Sequence, residues 1–491
     1  MEKSEYLNIG PSGTFKASGN QAYDSIPQHV DDLLNKMKTD NNHHLVIHFH
    51  GGLVSENSGM STALRMHELY SANTSAQPYS FIWETGLIET FRDNLRTVHR
   101  TKLFQMILEM VMKKVGSKLG ISVGGKGALN LNKVDFETEL LKARPFEDYF
   151  VSPNSKASVL LEISDPNNLQ RELKADFEVM VESSTYSDFE NQIEIEKEQV
   201  NPENVLETDP KDGKKGLVST VKAVKALVTI GYRVIKRILE NRDHGYYPTV
   251  IEEIFREFYV ADLGSWVWSS MKNKAEEMFK DNAGLDGLNQ HAGQYFLQKL
   301  NDASEDFEIK VDLVGHSAGS IVICQLLKNI AAKGFKNIKI RKIILLAPAC
   351  RCDLFKSEIL DHPERYEDFR MFTMSDELES NDMLIPGIYT RSLLYFVSGC
   401  LEEKGEGYDE YILGLQRHIT AQGPYAKEAL LKDIQKFMQN KDRRLTYSPS
   451  AIDQPEGYRC VAASHGDFDN HTDKNDRPLY TLDSLAWHIN N

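Results

Sequence analysis

The stretch at 309–334, IKVDLVGHSAGSIVICQLLKNIAAKG, constrains this chain more than any other part of it. Its first half is apolar and β-branched, as a strand buried on both faces should be, and its second half has the length and composition of a buried helix. The chain must reverse between them within Gly315-His316-Ser317-Ala318-Gly319. Glycine two residues before and two after the serine leaves no side chain to clash when the backbone folds that sharply. A strand running straight into a helix is the repeating unit of a parallel α/β sheet.

The same unit is legible elsewhere. LVIHFH at 45–50 reads as a buried strand stopping at Gly51-Gly52, followed by a helix at about 58–69 and a strand at about 79–84. After a long interval come a helix at 288–300, the stretch above, and strands at 339–349, 368–374 and 458–464, with a closing helix at 479–489. The expectation is therefore an α/β fold with a mostly parallel central sheet and a large helical insertion. Its parts are an N-terminal piece of the core at 1–85, the insertion at 86–258 and a C-terminal piece of the core at 259–491. Within the insertion, 186–215 is dominated by Glu, Asp, Asn and Pro and reads as a solvated mobile loop.

Composition excludes some classes of function. A formal net charge of -15 over 491 residues argues against a general nucleic-acid binder, which needs a basic surface to displace counterions from phosphate. The five cysteines, Cys324, Cys350, Cys352, Cys400 and Cys460, are odd in number and sit in apolar runs, which suits ordinary thiols in a reducing compartment. The first residues lack the apolar core of a signal peptide and no stretch is apolar enough to span a bilayer, so a cytoplasmic protein is expected. The histidines show no metal-ligand spacing such as HExxH; neither metal nor cofactor is expected.

Ser317 is the residue on which chemistry converges. A serine hydroxyl is a weak nucleophile at neutral pH and needs an adjacent base, together with donors for the oxyanion that develops on its substrate. The Gly51-Gly52 loop offers backbone N–H groups that no Cβ obstructs, and the N–H of Ala318 lies at the positive end of the following helix. Strand, His-Gly-Gly loop, helix, strand and then a Gly-His-Ser-Ala-Gly turn resembles the α/β-hydrolase superfamily, particularly its lipases and esterases, over about 44–85 and 258–491. The resemblance implies a triad running Ser, then Asp or Glu, then His along the chain. On that pattern Ser317 is the nucleophile and Gly51, Gly52 and Ala318 form the oxyanion hole. His465, in SHGDFDN, is the base, with His471 its rival. The acid is Asp376, directly after the strand at 368–374, with Asp382, Glu377 and Glu379 as alternatives. His316 reads as a neighbour facing the substrate or supporting the site rather than as the base.

The activity implied is hydrolysis of a carboxylic ester, of a small molecule or a lipid, through an acyl-enzyme. Alternatives are an amidase or peptidase using the same triad, and a binding or signalling protein that keeps the scaffold without turnover. The segment at 217–239 separates Lys222, Lys225, Arg233, Lys236 and Arg237 from an apolar face of Val221, Val224, Leu227, Val228, Val234, Ile235 and Ile238. A second apolar helix is expected at 103–115. Both can pack as a cap, and the basic face of the first can also make peripheral contact with an anionic membrane. Trp266 and Trp268 fill the core or line an acyl pocket.

Overall fold

The computed structural model describes residues 1–83, 88–119, 136–147, 166–182, 220–259, 265–402, 409–441, 443–451 and 453–491. The acidic stretch at 186–215 lies outside them, as do the side chains of Val221, Lys222 and Trp266. Internal contacts divide the chain into two units. The first comprises Met1–Ile88, Val267–Asp382 and Tyr411–Asn491, and the second Glu89–Trp266 and Met383–Glu410.

The first unit is built on a seven-stranded sheet in the order β1-β3-β2-β4-β5-β6-β7. Its strands are β1 (Tyr6–Ile9), β2 (His44–Phe49), β3 (Gln77–Trp83), β4 (Lys310–His316), β5 (Lys339–Leu346), β6 (Tyr366–Met374) and β7 (Leu445–Ser448). Every neighbouring pair is parallel. That arrangement requires helical crossovers over both faces, which is why the inner strands are mostly apolar rather than alternating. Val46 of β2, Val314 of β4, Ile344 of β5 and Phe372 of β6 are buried in one cluster with Leu482, Leu485 and Ile489 of the closing helix Thr481–Asn490. Each such side chain contributes roughly 1.5–3 kcal/mol by leaving water.

The helices start and stop where their sequences dictate. Ser55 caps Glu56–Asn73 by accepting the N–H of Ser58 at 3.1 Å. Gly334 ends Gly319–Lys333 in the left-handed conformation, φ 67°, that glycine adopts without strain. The last expected strand, 458–464, is not one. Cys460 and Ala462 are buried in the core, but their backbone bonds go elsewhere: Ser450 N–H donates to the Cys460 carbonyl at 2.8 Å and Val461 N–H to that of Leu479 at 3.0 Å. The outer strand of the ladder is instead the short β7.

The second unit is helical. Thr220–Leu239 is its hub, packing against Lys102–Lys118, Pro166–Glu182 and Tyr246–Phe258. Val224, Leu227, Val234, Ile235 and Ile238 are buried as their spacing foretells, and so are Leu103, Phe104, Ile107, Leu108, Met110 and Val111 of Lys102–Lys118. Arg237 departs from the expected solvent-facing basic stripe: it is 0% exposed, because the neighbouring helix presents Glu252 and Glu253 to it at 2.7 and 2.9 Å. Arg233 pairs with Glu257 at 2.9 Å, whereas Lys225 faces solvent. No helix among the described residues is long and apolar enough to cross a membrane.

Candidate active site

Ser317 stands on the turn between β4 and Gly319–Lys333 with φ 50°, a left-handed conformation that a residue with a side chain adopts only under strain. Its backbone is held from three directions. Its N–H donates to the Leu346 carbonyl at 2.8 Å, and its own carbonyl accepts from Ala349 N–H at 3.0 Å and from the Ser320 hydroxyl at 2.6 Å. The flanking glycines are required by packing. A Cβ at Gly319 would lie 2.3 Å from the Phe49 carbonyl oxygen, and one at Gly315 would lie 2.7 Å from Ile323 Cδ1.

His465 Nε2 lies 2.8 Å from Ser317 Oγ. The histidine opens a one-turn 3-10 helix, His465–Asp469, whose start is fixed by Asp467: its carboxylate accepts the N–H groups of Ala463 and Ser464, both at 2.9 Å. The main chain of His465 is also held on both sides, its N–H donating to Asp382 Oδ2 at 2.8 Å and its carbonyl accepting from His316 Nε2 at 3.1 Å. Burial pushes the imidazole down from 6.5 to about 3, with His316 adding to the effect and Asp469 opposing it. The ring is therefore neutral at neutral pH and can accept the hydroxyl proton. Its buried Nδ1 has no hydrogen-bond partner among the described residues. The rival His471 is exposed on the surface.

The acidic residues after β6 separate on a short helix, Asp376–Asn381. Asp376 begins it, donates its N–H to Gln416 Oε1 at 2.7 Å and turns its carboxylate, 38% exposed, toward Arg417 Nε at 3.4 Å. The structure thus brings Asp376 to a guanidinium and Asp382, at the far end of the helix, to the base. Glu379 is buried and Glu377 exposed.

The glycine loop after β2 is positioned by a histidine. His50 follows β2, and its ring accepts the Trp83 N–H at Nε2 (3.1 Å), so its proton resides on Nδ1 and is donated to the Gly51 carbonyl at 2.6 Å. Burial holds this ring at about 4, hence neutral, which is the form the two bonds require. Gly51 rests against the elbow, a Cβ there lying 3.4 Å from that of Ser317. A Cβ at Gly52 would meet Met271 Sδ at 2.3 Å and Ala318 Cβ at 2.9 Å. Gly52 and Ala318 are therefore neighbours. Trp268 is buried.

Sequence reasoning did not find the ring of His50 as the brace of this loop, nor Met271 as its neighbour. The first carries a signal, a histidine between an apolar strand and two glycines; the second carries none. The five thiols are all buried.

Residues 288–378 match the model of a family described as an alpha/beta hydrolase of unknown function (DUF900). The matched part runs from before the helix Ala292–Asp306 through β4, the elbow, β5 and β6 to the start of the acidic helix, and so includes Ser317 but neither Asp382 nor His465. No curated protein and no solved structure matches the chain.

Proposed function

The chain has the fold of the α/β-hydrolases, and on that premise we propose that it is a serine hydrolase that cleaves a carboxylic ester through an acyl-enzyme. The observation that carries this reading is the 2.8 Å contact between Ser317 Oγ and Nε2 of a half-buried, neutral His465. A hydroxyl in reach of an unprotonated imidazole can lose its proton as it attacks.

Ser317 Oγ adds to the carbonyl carbon of the ester while its proton passes to His465 Nε2. The carbonyl oxygen gains the negative charge and takes hydrogen bonds from the N–H groups of Gly52 and Ala318, with Gly51 shaping the loop. Collapse of the tetrahedral adduct expels the alkoxide, which takes the proton from His465 and leaves as the alcohol. Water, deprotonated by the same imidazole, repeats the sequence on the acyl-enzyme and releases the acid. We assign the role of triad acid to Asp382. A carboxylate has lone pairs enough to hold both the main-chain N–H and the Nδ1–H of one histidine, and Asp382 already holds the former. Asp376, the residue favoured by its place directly after the strand, is engaged by Arg417.

A fluorophosphonate probe and a panel of activated esters with matching amides test the reading. Wild-type protein should be labelled and should turn over esters, and Ser317→Ala should lose both with its fold unchanged by circular dichroism. Undiminished turnover by Ser317→Ala removes the assignment. Preference for the amides would shift it to an amidase.

A further inference from the structure

His316 is not used by the mechanism above, yet its ring touches three parts of the site. Nε2 donates to the carbonyl of His465 at 3.1 Å, since a carbonyl can only accept. Nδ1 lies 3.4 Å from Asp469 Oδ2, an ion-pair distance rather than that of a good hydrogen bond. The third contact is with the oxyanion loop: a Cβ on Gly51 would stand 3.3 Å from His316 Nδ1. The two polar partners, His465 and Asp469, are the first and last residues of the single 3-10 turn that carries the base. One rigid ring, fixed to the nucleophile's own turn, therefore holds the first residue of that segment by a hydrogen bond and faces the carboxylate of the last across 3.4 Å.

Asp469 is built for this position. Burial alone would raise its carboxyl, but His316 in contact with it, then Arg65 and His48, hold it at about 2, so it remains a carboxylate. Arg65 approaches it at 3.9 Å from the helix Glu56–Asn73. A buried carboxylate with a histidine in front of it resembles a triad pair, but this histidine does not meet the serine hydroxyl; it meets the main chain of the histidine that does.

We propose that His316 and Asp469 form a second histidine–carboxylate pair that positions the base, clamping the His465 turn so that Nε2 stays on Ser317. The proposal rests on the serine-hydrolase reading. His465 has no hydrogen bond at Nδ1 among the described residues, so its orientation depends on its main chain. That main chain is held by Asp382 on the N–H side and by His316 on the carbonyl side. Loosening one side displaces the imidazole, and misplacement on the order of 1 Å costs about 10²-fold in rate. His316 and Asp469 are positioning residues: neither donates to nor accepts from the reacting atoms.

The test uses the full-length protein, an activated ester and the fluorophosphonate probe, with four variants. His316→Ala should lower kcat by about 10- to 100-fold, with KM within about twofold. His316→Gln places an amide N–H near the former Nε2 and should recover most of that loss. Asp469→Asn keeps the shape, removes the charge, and should lower kcat less than His316→Ala. The double variant His316→Ala, Asp469→Asn should be no worse than His316→Ala alone, because the two act as one unit. Additive losses, or a Gln variant as impaired as Ala, would overturn the clamp. So would kcat values equal to wild type in all four. Should His316→Ala fail to fold, the Gln and Asn variants carry the same decision. Loss of labelling in Ser317→Ala reports separately on the underlying reading, so the clamp can fail while the nucleophile stands.

Discussion

In the helical unit, Arg237, Glu252 and Glu253 are each 0% exposed and answer one another at 2.7 and 2.9 Å, with His244 and the Tyr389 hydroxyl closing on Glu252 at 2.7 and 2.5 Å. In the sheet unit, beside the His316–Asp469 pair, three imidazoles near Ser317 are instead kept uncharged by burial: His48 at about 3, His50 at about 4 and His465 at about 3. The difference separates two uses of buried polarity. Matched ionic partners fix one geometry, because displacing any member strands a charge in a medium that cannot solvate it. Neutral imidazoles strand nothing and retain the capacity to take a proton. The first arrangement suits a framework, and the second suits proton transfer from a hydroxyl.

The largest expected effect bears on the second arrangement. If His465 works by accepting a proton, the carboxylate that stabilises the resulting imidazolium matters far more than its neighbours on the same helix. Asp382→Asn should lower kcat on the order of 10³–10⁴-fold. Asp376→Asn, which gives up a half-exposed contact with Arg417, should change it less than about threefold. The reverse ranking in steady-state kinetics would return the acid to Asp376.

The ionic network predicts a loss of stability. Arg237→Met leaves Glu252 buried without its guanidinium and Glu253 with Arg256 at 3.1 Å, and removing one partner of a buried pair costs about 3–5 kcal/mol. Thermal unfolding, or the rate of proteolysis within 220–258, should show it. Replacing Glu252 with Gln and Glu253 with Leu in the same chain should restore part of the loss, since the stranded charges go too. A single variant as stable as wild type would mean that the network contributes little to folding.

The neutral histidines predict a smaller, pH-dependent term. An unfolded chain protonates each histidine near 6.5, whereas the folded chain refuses the proton until about 3 at His48. The unfolded state therefore binds more protons below 6.5. This contribution is whole above that pH and declines as pH falls from 6.5 toward 3, by about 1.4 kcal/mol per unit for each such group. His48→Gln should flatten the fall of stability between pH 6.5 and 4 by about that amount per unit. Parallel curves for the two proteins, from denaturant titrations, would show that His48 is protonated in the folded state.

The same contrast decides what could be read from the sequence. β2, β4, β5 and β6 are legible because strands buried on both faces must be apolar runs. β1 and β7 span four residues each, too short for a period, and Asn8 in β1 is buried because the Ser25 hydroxyl and the Glu56 carboxylate receive its N–H groups. The apolar run at 458–464 reported burial and not ladder pairing. The elbow is legible because its constraints are local, a glycine on each side of one strained residue. Which carboxylate reaches the His465 main chain is not, since only the three-dimensional turn of the helix Asp376–Asn381 determines it. Arg237 was misread for a related reason: helical periodicity places a charge on a face but does not say whether water or a glutamate waits there.

The smallest expected effect concerns that face. Of the five basic residues at 217–239, Arg237 is spent on Glu252 and Glu253, and Arg233 has Glu257 at 2.9 Å with Glu253 at 4.0 Å. Lys225 is exposed and Lys236 half-buried. A lysine near an anionic surface contributes about 1 kcal/mol, attenuated as salt shortens the Debye length, so Lys225 and Lys236 supply at most about 2 kcal/mol together, and the side chain of Lys222 lies outside the described residues. Stable peripheral anchoring takes more than that, usually a second signal such as a lipid chain or a denser basic patch. Wild-type protein should therefore bind phosphatidylserine vesicles weakly at low salt and lose that binding near physiological salt. Lys225→Gln with Lys236→Gln should weaken the low-salt binding by at most about 30-fold and leave hydrolysis of a soluble ester unchanged. Binding that persists at physiological salt in wild type and vanishes in the double variant would mean that the face is used on membranes despite the loss of Arg237 to the interior. The helix would then combine both arrangements, an ionic framework on one side and a responsive charge on the other.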